Sequence, residues 1–241
     1  MTGWPSGYGL KQFDEIDSTN EEARRLAQAG ECGPLWLTAV RQTAGRGRRG
    51  RSWDTPSGNL AATLLINPDR PEKEWPQLSF VAAIATSDMA ASFAPSARIS
   101  LKWPNDVLAD GRKLAGILLE NAHGALAIGI GVNLKHYPSD TEFPATSLAA
   151  LEAGVPLVEE ALARLAGGFA RWYDIWSAQG FAAIRDAWLA RAQGLGTRIR
   201  ARLVTEERSG MFEGIDESGA LLLNEGLGRV SVLPAADIFF G

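Results

Sequence analysis

The chain has 241 residues, of which 46% are hydrophobic, and this suits one large domain or one domain with a small appendage. Its formal net charge of -4 argues against a protein whose whole surface binds nucleic acid. The single cysteine, Cys32, excludes an intramolecular disulfide and a cysteine-built zinc site, and it fits a reducing compartment. The chain shows no signal-peptide pattern and no run of ~20 apolar residues, so we expect a cytoplasmic protein without a membrane span.

The N-terminal part predicts a helix and two strands joined by an unusual loop. Residues Ser18-Thr19-Asn20-Glu21 match a capping box, and apolar residues at helical spacing follow them. Compact apolar runs at 35–40 and 60–66 predict two strands. The segment Gly45-Arg46-Gly47-Arg48-Arg49-Gly50-Arg51, called the arginine loop below, lies between them. We therefore expect the arginine loop at the end of a sheet.

The middle of the chain predicts further helices and strands. Apolar spacing over 78–93, without a proline, indicates a helix packed on the sheet. Four strand-like runs follow at 97–102, 106–109, 113–120 and 125–132, and Asp110-Gly111 is a strong hairpin turn between them. These strands should be antiparallel neighbours. From 155 to 191 the pattern becomes helical, with one apolar stripe.

The C-terminal part changes character after Gly194-Leu195-Gly196. Short strand-like runs at 197–204, 211–215, 220–223 and 229–233 predict a small β barrel. The expected fold class is therefore α+β, with a mixed sheet and packed helices in residues 1–193 and a small barrel in residues 194–241.

The arginine loop indicates a site for anions. Guanidinium groups suit carboxylates and phosphates, and glycine allows a close approach of the backbone. A basic cluster alone is typical of a solvated surface or a nucleic-acid arm, but in an acidic chain it favours a small anionic ligand. The glycines also match G-x-G-x-x-G, yet turn-forming residues 53–58 follow where a dinucleotide fingerprint needs a helix. No Gly-Lys pair occurs, so a Walker A sequence is excluded.

Two further motifs lie on either side of the Asp110-Gly111 turn. They are Lys102-Trp103-Pro104-Asn105-Asp106 and a segment that begins at Lys113. Pairing of antiparallel strands should place Lys113 near Asn105 or Asp106, and a buried amine is costly unless an anion meets it. Trp53 could stack on a nucleotide base or pack on the domain. Each motif alone is typical of a turn or a surface, but together with the arginine loop they indicate a ligand site.

The set of motifs resembles the biotin protein ligases. The match keeps order and spacing from residue 13 to the C-terminus, and it includes Ser18-Thr19-Asn20, Gln42 with the arginine loop, 102–106, 113–118 and 129–133. The resemblance implies a catalytic domain similar to class II aminoacyl-tRNA synthetases and an SH3-like C-terminal domain, visible in residues 214–223. Only 17 residues precede Ser18, so the chain resembles the ligase-only form rather than members with an N-terminal DNA-binding domain.

This resemblance implies a reaction in two steps. Biotin and ATP give biotinyl-5′-AMP and pyrophosphate, and a lysine of a biotin carboxyl carrier protein then takes the biotinyl group. The carboxylate of biotin is already ionised at neutral pH, so the first step requires positioning and neutralisation of charge rather than a base. Mg²⁺ is implied together with ATP, without identified protein ligands. Whether the chain forms a homodimer stays open.

The resemblance also assigns roles to individual residues. The residues expected to bind biotin are Ser18, Thr19, Asn20, Gln42, Gly45, Arg46, Gly47, Arg48 and Lys113. The residues expected to bind ATP are Arg48, Arg51, Trp53, Lys102 and Asn133. The expected catalytic residues are Lys113, Arg48, Asn105 and Asp106, of which Asp106 accepts or orients the proton of the acceptor amine. Ala61-Ala62-Thr63 departs from the family pattern, which often has an aromatic residue and a serine there.

Two other functions are consistent with part of this pattern. A lipoate protein ligase shares the fold and the activation of a carboxylate, but usually lacks this arginine loop. A nucleic-acid-binding module would use the loop on phosphates, but the acidic balance and the lack of further basic or aromatic stripes argue against it.

Overall fold

The computed structural model describes residues 3–151 and 154–240, and the larger part of them forms a seven-stranded sheet with four α-helices. In chain order these elements are β1 (Gly9–Ile16), α1 (Thr19–Gln28), β2 (Leu35–Gln42), β3 (Leu60–Ile66), α2 (Leu78–Phe93), β4 (Ile99–Lys102), β5 (Asp106–Ala109), β6 (Arg112–Ala122), β7 (Ala125–Val132), α3 (Val158–Gln179) and α4 (Phe181–Leu189). The strand order is β1-β2-β3-β7-β6-β5-β4, and only β1 and β2 run parallel. The expected mixed sheet with packed helices is confirmed.

Helices cover both faces of this sheet. Leu60, Ala62 and Leu64 of β3 point to the large core that α2 and α3 complete. Leu65 points the other way, into a smaller cluster with Ala23 of α1. Because every residue of β3 is buried, apolar and polar residues do not alternate along the strand, which is apolar except for Thr63. No helix in the described ranges is both long and apolar enough to cross a bilayer.

The C-terminal part is a five-stranded antiparallel sheet. Its strands are β8 (Arg198–Arg202), β9 (Glu207–Ile215), β10 (Leu221–Gly226), β11 (Arg229–Leu233) and β12 (Asp237–Phe240), in the order β11-β10-β9-β8-β12. Ile199, Phe212 and Leu221 belong to the same buried cluster as the helices of the larger part. Trp103, which is buried, donates its indole N–H to the carbonyl of Gly219 at 2.9 Å. This docking places β12 beside the ends of the central strands.

Several predicted boundaries match the structure, and some details differ. The predicted strands 60–66, 106–109, 125–132 and 229–233 and the helix 78–93 have the observed ends. The helical region after 155 is divided by Gly180, whose φ is 75°. The sequence did not predict β1, most of whose residues are exposed, or β12, which has four residues.

The predicted capping box at Ser18 is wrong in its side-chain part. Ser18 is the N-cap of α1, but its side chain makes no capping hydrogen bond. Glu21, the expected partner, forms ion pairs with Arg24 and Arg46 instead. Thr19 donates its backbone N–H and its hydroxyl to Gln42 Oε1, at 2.8 and 3.0 Å. Tertiary partners therefore take the polar groups that a local cap would use.

The contact between Trp103 and Gly219 gives a first prediction. Trp103→Phe removes the indole donor and leaves a carbonyl without its partner in a buried interface, so we expect a loss of about 1–3 kcal/mol in the free energy of unfolding. Trp4→Phe is the matched control, because Trp4 donates to the carbonyl of Tyr8 near the chain start. Urea denaturation of both variants measures the difference. Equal losses in the two variants would contradict a special role for this contact.

Candidate active site

A cavity of about 640 Å³ opens on one face of the central sheet. Its floor follows from the strand register, because Ala61, Gly131, Gly116, Asp106 and Lys102 are consecutive partners on β3, β7, β6, β5 and β4. Residues directly opposite each other in paired strands lie on the same face. The row therefore passes from small residues to a carboxylate and an ammonium group. A volume of this size is typical of small-molecule sites.

The indole of Trp53 lies directly on the glycines of this row. A Cβ added to Gly131 would stand 2.3 Å from the indole, and one added to Gly116 would stand 3.2 Å from it. The position of Trp53 therefore requires glycine at residue 131 and leaves little room for a side chain at residue 116. The ring also lines the cavity, and Lys113 Nζ is 5.6 Å from its centroid. The result is a flat aromatic surface next to an ammonium group.

The arginine loop closes on itself as a small hairpin between β2 and β3. The N–H of Gly47 donates to the carbonyl of Arg51 at 2.7 Å, and the N–H of Trp53 donates to that of Gly45 at 2.9 Å. A Cβ on Gly45 would lie 2.3 Å from the carbonyl oxygen of Trp53, so only glycine fits there. The expected position of the loop at the end of a sheet is confirmed.

The four arginines of the loop have different environments. Arg46 pairs with Glu21 at 2.8 Å, whereas Arg49 and Arg51 both pair with Asp237 of β12. Arg48 instead donates to Asn105 Oδ1 at 3.2 Å, and no carboxylate of the described residues lies within 4.0 Å of it. Burial lowers the pKa of Arg48, and nearby carboxylates offset this only partly. Among these four, Arg48 is the guanidinium group without a carboxylate partner.

Lys113 and Asp106 form an ion pair at the floor of the cavity. Lys113 Nζ is 2.7 Å from Asp106 Oδ1, which confirms the predicted proximity. Asn105 donates its amide to the carbonyl of Ile117 at 2.5 Å, and this bond fixes the side chain that receives Arg48. An amine, a carboxylate, an amide and a guanidinium group therefore lie around one point of the cavity wall.

Lys102 occupies an aromatic environment rather than an ion pair. Its Nζ lies 3.5 Å from the ring centroid of Phe143, and Phe239 and Phe240 are within 6.0 Å. Such cation–π contacts stabilise an ammonium group without neutralising it. Burial lowers the pKa of Lys102 to about 8, although Asp106 acts in the opposite direction. Lys102 therefore changes its charge close to physiological pH.

The opposite end of the cavity is a chain of buried polar groups. Thr63 Oγ1 lies 2.8 Å from Thr19 Oγ1 and 2.6 Å from Asn20 Oδ1, and Asn20 donates to Glu120 at 2.7 Å. Gln42, which accepts from Thr19, donates its own amide to Thr55 at 3.1 Å. Side chains that bond one another in this way are fixed before a ligand arrives.

The structure brings nearly all sequence-predicted site residues to one cavity. Those that line it are Ser18, Thr19, Asn20, Gln42, Arg46, Gly47, Arg48, Arg51, Trp53, Lys102, Asn105, Asp106, Lys113 and Asn133. Gly45 does not line it and packs against the backbone of Trp53 instead. The amide of Asn133 donates to the carbonyl of Thr146 at 3.0 Å.

The sequence motifs do not include several residues at the cavity. Thr63 contacts the lining residues Thr19 and Asn20 and is the only polar residue in an otherwise apolar strand, which is a signal that the sequence offers. Phe143 and Arg202 belong to segments whose path only the fold reveals. Asp237 follows the apolar segment 232–236 near the chain end, and no motif in the sequence indicates it.

Comparison with known proteins identifies biotin ligases as proteins similar to this chain. A biotin protein ligase from Aquifex aeolicus, solved in complex with biotin and ATP, matches 97% of this chain and 99% of its own with a TM-score of 0.86 and 26% identity. The biotin--[acetyl-CoA-carboxylase] ligase of Paracoccus denitrificans is 48% identical over 93% of this chain and 98% of its own length. The bifunctional ligase/repressor of Bacillus subtilis is 34% identical over 98% of this chain and 75% of its own length.

Family models agree with these relatives. The model of the biotin/lipoate A/B protein ligase family matches residues 13–135, and that of the biotin protein ligase C-terminal domain matches residues 194–241. The chain therefore belongs to the biotin/lipoate A/B protein ligase family, and within it is similar to the biotin protein ligases.

The packing of Trp53 on Gly131 gives a second prediction. Gly131→Ala forces the indole off the sheet, so we expect a loss of about 1–3 kcal/mol in the free energy of unfolding, as for other overpacked sites. Gly167→Ala is the control, because a Cβ there meets no atom within 4 Å. In the middle of α3 that change should instead stabilise the helix by up to ~1 kcal/mol. Denaturant titration compares the two, and similar stability of both variants would refute the prediction.

Proposed function

We propose that this protein is an ATP-dependent biotin protein ligase. It activates biotin as biotinyl-5′-AMP and transfers the biotinyl group to a lysine of a biotin carboxyl carrier protein. The observation that carries the proposal is the cavity in which Arg48 and Lys113 stand next to the aromatic surface of Trp53. The names of the relatives, and the complex of the Aquifex aeolicus enzyme with biotin and ATP, support it.

We place biotin at the polar end of the cavity. Its ureido ring carries two N–H donors and a carbonyl acceptor, and the fixed hydroxyl and amide groups at this end can complement both. The proposed biotin-binding residues are Ser18, Thr19, Asn20, Gln42, Gly45, Arg46, Gly47, Arg48 and Lys113. The carboxylate of biotin then lies near Arg48 and Lys113, where its charge is neutralised.

We place ATP on the aromatic and cationic side. The adenine base would stack on Trp53, since stacking on tryptophan contributes about 1–3 kcal/mol per base. Arg48, Arg51 and Lys102 would neutralise the phosphates, and Asn133 would contact the nucleotide. Mg²⁺ is proposed to enter with ATP, because the described residues offer no group of three or more His, Cys, Asp or Glu side chains for a metal.

The first step is a displacement that needs no proton transfer. A carboxylate oxygen of biotin attacks the α-phosphorus of ATP, the bond to the β-phosphate oxygen breaks, and pyrophosphate leaves. Arg48 and Lys113 stabilise the charge that develops on the α-phosphate. The arginine loop excludes water from the mixed anhydride, which would otherwise hydrolyse.

The second step begins with an amine that is protonated in solution, since the ordinary pKa of lysine is ~10.4. Asp106 is the proposed acceptor of that proton, and Asn105 orients the acyl group beside it. The neutral amine attacks the acyl carbon, AMP leaves with the bonding electrons of the anhydride, and the second proton of the amine passes to the departing phosphate or to solvent as the amide forms. The ion pair of Asp106 with Lys113 keeps the carboxylate in place before the acceptor enters.

The proposal also covers the domain boundaries, the cellular compartment and the acceptor protein. We propose that residues 1–193 form the catalytic domain and residues 194–241 a separate C-terminal domain, and that the enzyme works in the cytoplasm. The single, exposed cysteine fits a reducing compartment. The name of the Paracoccus denitrificans relative indicates an acetyl-CoA carboxylase subunit as the acceptor.

Exchange of labelled pyrophosphate into ATP tests the first step. Biotin should support exchange and lipoate should not. Arg48→Ala should reduce the biotin-dependent rate about 100-fold or more, as expected for the loss of one preorganised donor to a developing charge. Arg41→Ala is the control, because Arg41 is exposed and pairs with Glu15 outside the cavity. Exchange at the normal rate in Arg48→Ala, or exchange supported by lipoate, would refute the assignment.

The aromatic environment of Lys102 predicts a dependence on pH. Because the pKa of Lys102 is lowered to about 8, the ammonium group is charged below that pH and neutral above it. Attraction for phosphate should therefore fall as the pH rises through 8, and the KM for ATP should rise. Lys102→Arg should remove this rise, since a guanidinium group stays charged. If the KM for ATP of Lys102→Arg rises through pH 8 as it does in the wild-type protein, the role of Lys102 is contradicted.

A further inference from the structure

We propose that Asp237 is a positioning residue for the activation step, which holds the arginine loop against the C-terminal sheet so that Arg48 faces the cavity. This inference rests on the proposed function. It concerns a carboxylate that no motif of the sequence indicated, and it acts through arginines of the loop rather than on the substrates.

The carboxylate of Asp237 receives several guanidinium groups. Arg51 Nη2 lies 3.0 Å from both carboxylate oxygens, and Arg49 Nη1 lies 3.1 Å from Oδ2. Arg202 adds a third guanidinium group at 3.6 Å. The side chain of Asp237 is only 16% exposed, whereas that of Arg51 is 57% exposed. A partly buried carboxylate that receives several guanidinium groups interacts more strongly than an exposed single pair.

Asp237 has a fixed position because β12 pairs with β8 and packs into the core. In the antiparallel pair with β8, Asp237 stands opposite Arg202 and Ile238 stands opposite Ala201. Ile238 and Ala201 are fully buried in the common core. The carboxylate is therefore carried by the rigid part of the molecule, and the arginine loop is the part that adapts to it.

The contacts to Asp237 add to two others that attach the arginine loop, the ion pair of Arg46 with Glu21 and the hydrogen bond of Arg48 to Asn105. The backbone bonds of the loop join Gly47 to Arg51 and Gly45 to Trp53, which closes the neck of the hairpin but does not attach it to the protein. At the tip, Arg49 has a φ of 56°, a conformation that residues other than glycine seldom adopt. The ion pair of Arg49 with Asp237 offsets the free-energy cost of this backbone conformation.

Residues 48 and 49 follow each other in the chain but have different partners. Arg49 reaches Asp237, and Arg48 reaches Asn105 beside the ion pair of Lys113 and Asp106. Fixing Arg49 and Arg51 on the C-terminal sheet therefore also fixes the backbone from which Arg48 extends. Without Asp237 the loop would keep its charges but lose its orientation.

Asp237→Asn tests this role, because it keeps the shape of the side chain and removes the charge. We expect the hydrogen-bonded backbone amides of Gly47, Arg51 and Trp53 to exchange with solvent deuterium about threefold to tenfold faster in the ligand-free protein, as expected for the loss of these ion pairs. Arg49→Ala should have a smaller effect in the same direction, because Arg51 still pairs with Asp237, and the double variant should add little to Asp237→Asn. Glu15→Gln, which removes the partner of exposed Arg41, is the control and should leave these amides unchanged.

A second measurement separates positioning from simple stability. In Asp237→Asn the KM for ATP in pyrophosphate exchange should rise about threefold to tenfold, in step with the faster amide exchange. A purely structural role would lower the melting temperature and leave this KM unchanged. If Asp237→Asn fails to fold, Arg49→Ala carries both measurements, because Arg49 lies on the surface loop.

The outcomes distinguish this inference from the proposed function. Unchanged amide exchange in Asp237→Asn, or effects of Arg49→Ala and Asp237→Asn that simply add, would overturn the role of Asp237 even if the wild-type protein activates biotin. Wild-type protein that does not activate biotin would overturn the proposed function, while faster amide exchange would still support the contact between loop and sheet.

Discussion

The structure depends on holding several cations around one cavity before any anion is bound. Like charges repel at these distances, and each buried cation also loses hydration. The fold gives four of these cations different partners. Lys113 has Asp106, Arg51 has Asp237, Lys102 has aromatic rings, and Arg48 has the amide oxygen of Asn105. Only Arg48 and Lys102 remain without a carboxylate, and these are the groups most available to an incoming anion.

The sheet supplies the surface on which this arrangement is built. Gly116 and Gly131 lack side chains where strands β6 and β7 pass under Trp53, so the indole can lie flat on the backbone. The same register places Asp106 and Lys102 next in the row. Hydrogen-bonded polar side chains fix one end of the cavity, and charged groups fix the other. A site that is ordered in advance spends less binding free energy on arranging itself.

The C-terminal sheet takes part in the site and does more than extend the core. Its last strand brings Asp237 to the arginine loop and Phe239 to Lys102. The buried cluster shared by both sheets and the bond from Trp103 to Gly219 keep that strand in place. The cavity of the larger part is therefore completed by a strand that comes more than 120 residues later in the chain than Asp106 and Lys113.

The sequence by itself determined the elements with strong apolar patterns and, through the arginine loop and the family resemblance of the motifs, most of the predicted residues that line the cavity. The strands at Leu60–Ile66 and Ala125–Val132 and the proximity of Lys113 to Asp106 follow from local pattern and hairpin pairing. The resemblance assigned Arg48 and not Arg49 to the site, and only the tertiary structure supplied the physical reason for the difference. Arg48 and Arg49 are the same residue type, and their difference arises from Asp237, which becomes their neighbour through strand pairing and core packing that no local pattern encodes.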